Sequence, residues 1–309
     1  MFADDYPRFI ELSELAPKEE DRRSAIEVQR NRMNERYEVM FANNRDIFEG
    51  ARVLDLASHD GRWSFAALKS GAAHVTGVEV RKSLIDRAQE AFAFYGQDPE
   101  TYRFVRGDVF EVLAQEKLEV DVVLCFGFLY HTYRHTELMY RISNLAPTHL
   151  IVDTMVTRDT QEKTLRVVRE RDVEDSRSAA QDPWAMGRVL VLRPSLPALQ
   201  ILLRSYGFEI ESLYDWKGRL AGRPPAPGLR GYSRGKRVSV RCRSREAAKA
   251  AGWEPVAPFR FAEGPRPHTG GRDKTPTPPP TQPAGGWRDR VNTTLARATG
   301  YELRRSTKR

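Results

Sequence analysis

Cysteine is scarce in this 309-residue chain, which contains only Cys125 and Cys242. Two cysteines are too few for a disulfide scaffold or a cysteine-rich zinc site. Long apolar runs are also absent, since none approaches the ~20 residues that a membrane-spanning helix needs. The acidic N-terminus lacks the apolar stretch of a signal peptide. These absences predict a cytoplasmic protein without an integral membrane segment.

Acidic and basic residues occur in both parts of the chain, but in different proportions. Residues 217–309 contain 22 Lys and Arg against 6 Asp and Glu, whereas residues 1–216 contain 28 against 36. The formal net charge of +8 is therefore the average of an acidic body and a strongly basic C-terminal third. The net charge alone does not identify a nucleic-acid-binding protein, because only the basic C-terminal third could attract a nucleic acid.

Short apolar runs alternate with helical patterns through the first half of the chain. Strands are predicted at Arg52–Ala57, His74–Glu79, Tyr102–Arg106, Asp121–Phe126 and Leu150–Val156, and two more at Phe208–Tyr214 and Arg237–Arg243. Strands that alternate with helices at this spacing indicate βαβ units and a parallel, doubly wound sheet. The sequence therefore predicts an α/β, Rossmann-like fold with seven mostly parallel strands and helices on both faces.

Composition also divides the chain into segments. The prediction is a helical N-terminal extension (1–45), a central α/β domain (46–246) with an insertion at about 159–190, a Pro/Gly-rich linker (247–286) and a basic amphipathic tail (287–309). Nine prolines between positions 255 and 283 argue that the linker cannot bury enough surface to offset its ordering entropy.

The loop after the first predicted strand is poor in glycine. A dinucleotide-binding loop uses G-x-G-x-x-G to hold a pyrophosphate at a helix N-terminus, but here only Gly61 of such a pattern is present. Asp60 in the same turn would repel an anionic pyrophosphate. This loop therefore favours a cationic ligand.

The segment from Asp55 to Gly61 resembles the D/E-x-G-x-G-x-G motif of the class I S-adenosylmethionine (SAM) methyltransferases. Ala57 and His59 stand where the motif has its first two glycines. The resemblance implies SAM as the cofactor, bound in part by the loop residues Asp55, Ala57, Ser58, His59, Asp60 and Gly61. It extends well over 48–157, and over 195–243 by architecture.

Three more strand ends match the family in order. The resemblance implies that Glu79 accepts hydrogen bonds from the ribose hydroxyls and that Asp108 meets the adenine amino group. It also implies that Val109 packs on the adenine ring and that Phe126 lies near the methyl group. The structural alternatives are a surface acid at Glu79 and a helix N-cap at Asp108. Asp55 could equally satisfy backbone donors, and His59 is interpreted as structural or cofactor-adjacent.

A narrower resemblance concerns two short strings, Asp60-Gly-Arg-Trp-Ser-Phe65 and Gly127-Phe-Leu-Tyr-His131. They are similar to strings in the branch that contains the tRNA wobble-uridine methyl- and carboxymethyl-transferases together with bacterial sugar methyltransferases. The Asn/Ser-Pro that usually follows the Tyr-His pair is replaced by Arg134-His135. The acceptor is therefore not carried over from the tRNA enzymes.

The predicted catalytic residues follow the fourth and fifth strands. A hydroxyl acceptor needs a general base, and an imidazole suits that task near neutral pH, so His131 is the predicted base. Tyr130 is predicted to orient the acceptor or cap the sulfonium, and Asp153 to orient a base or bind substrate. The alternatives are a purely cofactor-shaping Tyr130–His131 pair and a satisfied strand-end acid at Asp153. His131 and His135 are spaced as metal ligands on a helix, but no clear third ligand accompanies them, so no metal is predicted.

Substrate and partners are less constrained. Arg30, Arg32 and Arg36 on a predicted helix could line the substrate mouth or form a solvated face, and the same choice holds for Arg62. The Arg-rich stretch 217–245 is a candidate RNA surface, and the Trp287–Leu303 helix is a candidate contact with the inner membrane surface; a solvated tail is the third alternative. The predicted reaction is methyl transfer to a hydroxyl of a small molecule, a sugar or glycan precursor, with tRNA modification as the alternative.

Overall fold

The computed structural model of the chain describes residues 1–11, 19–158, 162–171, 188–223, 228–250 and 252. All of these fall within one compact unit that extends from Met1 to Glu263. Among them, no helix combines the length and apolarity needed to cross a membrane. The predicted amphipathic tail and nearly all of the predicted linker lie outside the described residues.

The described part alternates strands and helices, as the sequence predicts. The strands are β1 (Arg52–Leu56), β2 (His74–Glu79), β3 (Tyr102–Arg106), β4 (Val122–Phe126), β5 (His149–Met155), β6 (Leu165–Arg171), β7 (Arg188–Pro194), β8 (Phe208–Leu213) and β9 (Arg237–Ser244). The helices are α1 (Phe2–Asp5), α2 (Arg8–Glu11), α3 (Glu19–Met40), α4 (Arg62–Lys69), α5 (Lys82–Phe94), α6 (Val109–Gln115), α7 (His135–Asn144), α8 (Leu196–Ser205), α9 (Trp216–Leu220), α10 (Arg230–Ser233) and α11 (Arg245–Ala250). Short 3-10 turns occupy Ala42–Ile47, Pro99–Thr101 and Leu129–His131.

Seven strands form one sheet in the order β3-β2-β1-β4-β5-β9-β8. Strands β1 to β5 run parallel, and β9 inserts antiparallel between β5 and β8. This arrangement confirms the predicted Rossmann-like sheet. Because parallel strands end at one edge, Asp55, Glu79, Phe126 and Asp153 are brought to the same side of the sheet.

The central strands are almost entirely buried because both faces of the sheet are covered. On one face, Phe65 of α4 and Phe92 of α5 belong to a buried apolar cluster that also takes in Phe2, Phe9 and Met33 from the N-terminal helices. The other face packs against α6, α7 and α8. The N-terminal helices thus share a core with the sheet, and α3 is held close to the site.

The segment predicted as an insertion with few clear signals contains a paired ribbon. Strands β6 and β7 are antiparallel, from Leu165 opposite Pro194 to Arg171 opposite Arg188. The two strands are hard to predict from the sequence because their exposed side carries apolar residues, namely Leu165, Val167 and Leu190. The usual alternation of buried apolar and exposed polar residues is therefore missing. The ribbon is anchored where the Leu192 amide donates to the Thr132 carbonyl at 3.2 Å. It therefore reaches the carboxyl end of β4.

Candidate active site

The loop after β1 carries three left-handed residues at alternate positions. The φ angles are +54° at Ala57, +55° at His59 and +71° at Gly61. These are the three positions that the methyltransferase motif gives to glycine. The substitutions at Ala57 and His59 therefore leave the backbone path of a glycine loop in place, at the cost of strain in two residues that have a Cβ atom.

Gly61 is the one position of the three where a side chain has no room. A Cβ atom there would lie 2.8 Å from Phe104 Cζ and 2.9 Å from the Cβ of Ala88. Gly77 on β2 is similarly close to Phe104, at 2.7 Å from its Cδ1. Helix α4 thus packs tightly against the sheet directly after the loop, which fixes the direction of its N-terminus.

Replacing Ala57 by glycine should raise the free energy of unfolding by about 0.5–1 kcal/mol. The left-handed conformation costs an L-residue about 1–2 kcal/mol, and glycine removes this cost. Glycine also stabilises the unfolded chain through its greater conformational freedom, which offsets about 0.4–1 kcal/mol of the improvement. The matched control is Ala93→Gly on the exposed side of α5, which should lose about 0.5–1 kcal/mol. Urea unfolding of both variants measures the two changes; equal losses would show that Ala57 is unstrained.

The acid in this loop is neutralised within the protein. Asp60 is 2% exposed and accepts from Arg62 Nε at 2.6 Å, with a second bond from Arg62 Nη2. Burial would raise the pKa of Asp60, but the Arg62 guanidinium and the His59 imidazole outweigh it and hold the pKa well below its usual range. The expectation that Asp60 itself repels anions is therefore wrong, because its charge is paired. Arg62 is buried rather than part of a solvated face.

Asp55 is a buried acid that has no ion-pair partner among the described residues. It is 1% exposed and accepts a hydrogen bond from Ser64 Oγ at 2.7 Å. Burial raises the pKa of Asp55 to about 7, with Glu79 and Asp60 adding to the effect and the Ser64 bond opposing it. A cationic ligand at this loop would favour the ionised carboxylate. The side chain is therefore poised to respond to a positively charged cofactor.

The raised pKa makes Asp55 a pH-dependent cost to folding. Because the folded-state pKa of about 7 lies above the ordinary value of 3.8, the folded protein holds the proton more tightly, and this contribution to stability is lost as pH rises through 7. Asp55→Asn keeps a partner for Ser64 and removes the titration. The stability of the variant relative to wild type should rise by about 2–3 kcal/mol between pH 5 and pH 8. Urea unfolding at both pH values tests this, and a pH-independent difference would contradict it.

Glu79 lies at the end of β2 and is buried rather than at the surface. Its Oε2 accepts from the His59 amide at 3.0 Å, and its Oε1 accepts from both the amide and Nε of Arg81, each at 3.0 Å. These bonds lock the carboxylate against the β1 loop. Arg81 is partly exposed, at 27%, so it can leave Oε1 for a ribose diol without opening the core.

Asp108 serves as the N-cap of α6. Its Oδ1 accepts from the Phe110 amide at 2.8 Å and from the Glu111 amide at 3.3 Å. Both cap bonds use one oxygen, so the capping role and the adenine role are compatible. Val109, the next residue, is 5% exposed within the apolar cluster on the α6 side of the sheet.

Ser58 supplies a polar atom that suits a bound ligand at the same loop. It is 1% exposed, and its Oγ has no hydrogen-bond partner within the described residues. Together with the glycine-like loop path, the poised Asp55 and the acid at Glu79, this buried donor fits a ligand with a sulfonium, an ammonium and a ribose. We assign the SAM-binding role of these residues as a proposal, developed below.

His131 is paired with an acid that sequence patterns did not identify. Its Nδ1 lies 2.6 Å from Glu170 Oε2, and the two side chains are 14% and 18% exposed. Glu170 stands on the inward face of the β6–β7 ribbon, opposite the buried Val189. The imidazole also lies against Tyr130, with ring centroids 4.1 Å apart. The loop after β4 thus presents a histidine oriented by a carboxylate.

Asp153 at the end of β5 holds a buried network rather than an accessible carboxylate. Fully buried, it accepts from Arg237 Nε at 2.6 Å, Arg36 Nη2 at 3.2 Å, the Tyr232 hydroxyl at 2.8 Å and Ser239 Oγ at 2.7 Å. Burial opposes ionisation, but Arg237 and Arg36 outweigh it and hold the pKa of Asp153 at about 2. The hydrogen bonds of Asp153 go to these four side chains and not to His131, whose carboxylate partner is Glu170.

Three of the five arginines of α3, Arg30, Arg32 and Arg36, lie in two different environments. Arg30 is 49% exposed and pairs with Asp4 at the surface. Arg36 is 6% exposed and stacks over the Trp63 ring, with 4.7 Å between its guanidinium carbon and the ring centroid. Arg36 is therefore buried, and Arg32 is partly buried within electrostatic reach of Arg36 and Arg237.

His135 is not available as a ligand for a metal shared with His131. It is 3% exposed, and its Nε2 lies 2.8 Å from the Leu129 carbonyl. Within the described residues no group of three or more His, Cys, Asp or Glu side chains has metal-site geometry.

The Arg-rich stretch 217–245 is largely engaged by the acidic body. In its described part, the arginines that pair with carboxylates are Arg219 and Arg223 (with Glu35), Arg237 (Asp153), Arg241 (Asp46 and Glu211), Arg243 (Glu211) and Arg245 (Glu209). The interpretation of this stretch as an open RNA surface is weakened, because six of its ten basic residues pair with carboxylates within the fold.

Known proteins resemble this chain mainly over the first half of the sheet. Residues 53–146 match the family model described as a methyltransferase domain. The ribosomal RNA large subunit methyltransferase I of Aeromonas hydrophila is 34% identical over 73 residues, which is 24% of this chain and 18% of that protein. A putative ribosomal RNA large subunit methyltransferase of Methanocaldococcus jannaschii is 35% identical over 81 residues, 25% of this chain and 21% of that protein. The chain thus spans about a fifth of the length of these curated relatives.

A solved structure shares the fold over a longer stretch. The N-terminal domain of EvdMO1 in the presence of SAH and D-fucose superimposes with a TM-score of 0.51 and 18% identity, covering 78% of this chain and 96% of that one. The family match places a methyltransferase domain at 53–146, and the superposition shows that the sheet has the fold of that solved structure.

Proposed function

We propose that this protein transfers a methyl group from SAM to a hydroxyl of a small molecule, a sugar or glycan precursor. The observation that carries the proposal is the 2.6 Å contact between His131 Nδ1 and Glu170 Oε2 at the carboxyl end of β4. A carboxylate on Nδ1 fixes the imidazole so that Nε2 faces outward as the proton acceptor. A hydroxyl acceptor is the kind of nucleophile that requires such a base.

When bound, SAM supplies an electrophilic methyl group on a positively charged sulfur. In the proposal, Glu79 holds the ribose hydroxyls, while the β1 loop with Asp55, Ala57, Ser58, His59, Asp60 and Gly61 surrounds the charged portion. Asp108 and Val109 take the adenine, and Phe126 flanks the methyl. The chain's task is to place the acceptor oxygen in line with that methyl and to exclude water.

His131 Nε2 then accepts the proton of the acceptor hydroxyl as the oxygen attacks. Glu170 keeps the imidazole in one orientation and stabilises its positive charge. Tyr130, whose hydroxyl accepts from Arg237 Nη1 at 3.2 Å, positions the acceptor beside the imidazole. Asp153 acts through Arg237 and Arg36 as a positioning residue and exchanges no proton itself.

A sugar acceptor is supported by the partly buried location of the base and by the EvdMO1 domain, whose structure was obtained with SAH and D-fucose. RNA is the second candidate, favoured by the two ribosomal RNA methyltransferase relatives. The membrane-facing tail and any cytoplasmic or inner-membrane location remain predictions, because the tail lies outside the described residues.

Methyl-labelled SAM decides between the acceptors. The full-length protein is incubated with a panel of monosaccharides and sugar nucleotides, and in parallel with tRNA and with ribosomal RNA. The proposal predicts label in a small molecule and none in RNA. Labelled RNA, with binding that weakens steeply as salt rises, would replace it with the RNA alternative.

A further inference from the structure

Two arginines bind a single acid at the substrate side of the site, and a third, Arg32, lies within electrostatic reach of both. Arg36 Nη2 and Arg237 Nε both donate to Asp153 Oδ1, at 3.2 and 2.6 Å. Arg32 lies four residues before Arg36 on α3, hence on the same helix face. No carboxylate of the described residues pairs with Arg32. The cluster Arg32–Arg36–Arg237 therefore carries three positive charges against one.

The guanidinium groups have donors left over. Arg237 Nη2 and Arg36 Nε have no hydrogen-bond partner within the described part of the chain. Both atoms are buried, and the two residues are only 7% and 6% exposed. A buried charged donor without a partner is costly, and proteins rarely leave one unless a ligand satisfies it. The spare donors thus point to a missing acceptor.

The position of these donors relates them to the reaction. A Cβ atom built on Gly127 would lie 3.4 Å from Arg237 Nη2 and 3.7 Å from the Tyr130 hydroxyl. Gly127 directly follows β4, and His131 is four residues further on. The spare donors therefore lie at the strand end where the acceptor of the proposed reaction must bind.

The surrounding groups do not supply the missing negative charge. Glu170 is engaged with His131 and lies 3.8 Å from Arg193. Asp55, the other acid within electrostatic reach of Arg36, bonds to Ser64. Burial, and then repulsion from Arg36 and Arg237, lowers the pKa of Arg32 to about 10.

We propose that the Arg32–Arg36–Arg237 cluster, with the Tyr130 hydroxyl, binds an oxyanion of the acceptor, so that the methyl acceptor is an acidic small molecule that carries a carboxylate or a phosphate. This inference rests on the proposed function and names its substrate class. Guanidinium groups match both oxyanions through paired N–H donors. Stacking of Arg36 on Trp63 and of Arg237 on Tyr130, at 4.7 and 5.1 Å, holds their planes in place before the anion arrives.

The test variant is Arg32→Gln, because Arg32 makes no bond to Asp153 and its removal leaves the buried network intact. The matched control is Arg30→Gln on the exposed side of the same helix. Each protein is first titrated with SAH, whose own carboxylate is the competing source of an anion. We expect both variants to bind SAH within about threefold of wild type. A tenfold loss of SAH affinity in Arg32→Gln alone would overturn the proposal, since the cluster would then serve the cofactor.

The second arm uses SAH-saturated protein and matched sugars. Glucuronate is compared with glucose, and glucose 1-phosphate with glucose, by calorimetry. We expect wild type and Arg30→Gln to bind a charged member about tenfold more tightly than glucose, and Arg32→Gln to lose that preference. The same preference in all three proteins, or none in wild type, would overturn the proposal.

The two arms also separate this inference from the reaction it depends on. If the protein binds SAH but shows no preference for the charged sugars, the inference about the acceptor class is wrong and the proposed methyl transfer is unaffected. If the protein prefers the charged sugars but transfers a methyl group to no acceptor, the proposed function is wrong and the oxyanion site is unaffected.

Discussion

Replacing His131 by alanine is expected to lower kcat by about 10²–10⁴-fold while leaving the affinity for SAH unchanged. The imidazole is the group that takes the acceptor's proton, and without it the hydroxyl remains a weak nucleophile. The ring is not needed to hold the cofactor, since the cofactor contacts we propose come from other strand ends. Steady-state kinetics with the labelled acceptor and calorimetry with SAH measure the two effects separately.

Glu170→Gln should produce a smaller loss, about 10–10²-fold in kcat, because the base is retained and only its orientation and charge stabilisation suffer. The KM for the acceptor should change little, a separation that a merely structural role for Glu170 would not produce. His74→Ala provides a control, since His74 begins β2 at the opposite edge of the sheet. Turnover by His131→Ala within about threefold of wild type would refute the assignment of the base.

Replacing Asp153 by alanine is expected to lower the free energy of unfolding by about 3–5 kcal/mol. The carboxylate is fully buried and lies between Arg36 and Arg237, so its removal leaves two guanidiniums in the interior without a counter-charge. The Tyr232 and Ser239 hydroxyls lose an acceptor at the same time. Urea unfolding near pH 7 measures the change.

The control for this prediction is another aspartate held by an arginine. Asp46 accepts from Arg241 at 2.9 and 2.7 Å but is 61% exposed. Asp46→Ala should therefore cost no more than about 1 kcal/mol, because solvent screens exposed pairs. Equal costs in the two variants would mean that the Asp153 network is solvated and has no special role in placing the arginines.

The sheet was predictable because its signals are local. Strand β4 is a continuous apolar run and β1 is a short, mostly apolar one, the pattern of strands covered on both faces, while Gly71 and Gly96 mark where the intervening helices stop. The acids at strand ends were found by the same reasoning, since the end of a parallel strand lies at a known edge. Asp55 and Glu79 are where that reasoning places them.

Glu170 could not be predicted because its partner lies 39 residues away in the chain and the contact depends on how the ribbon folds back. No local pattern distinguishes Glu170 from the other charged residues of β6. The same holds for Asp153, whose partners come from α3, α10 and β9. Long-range side-chain pairs of this kind are set by tertiary packing, which periodicity does not report.

Asp60 illustrates a different limit. The sequence shows that the residue is acidic. Whether the Arg62 side chain turns back onto Asp60 depends on the left-handed turn at Gly61, which the residue types alone do not specify. Ala57 and His59 are similar, since a positive φ is uncommon for any residue other than glycine, even for histidine, which adopts it more often than most. Only their alignment with the glycines of a known motif hinted at that conformation.

Calorimetric titration of SAH into the full-length protein is the most direct test of the central claim, that the carboxyl ends of β1 to β4 form a SAM site. Wild type is compared with Glu79→Gln, which keeps the shape of the side chain but halves its acceptor oxygens, and with Glu90→Gln on the exposed side of α5; circular dichroism checks that all three are folded. The account predicts saturable one-to-one binding by wild type and by Glu90→Gln, and about tenfold weaker binding by Glu79→Gln. Absence of saturable binding by wild type, or equal affinity in Glu79→Gln, would contradict it.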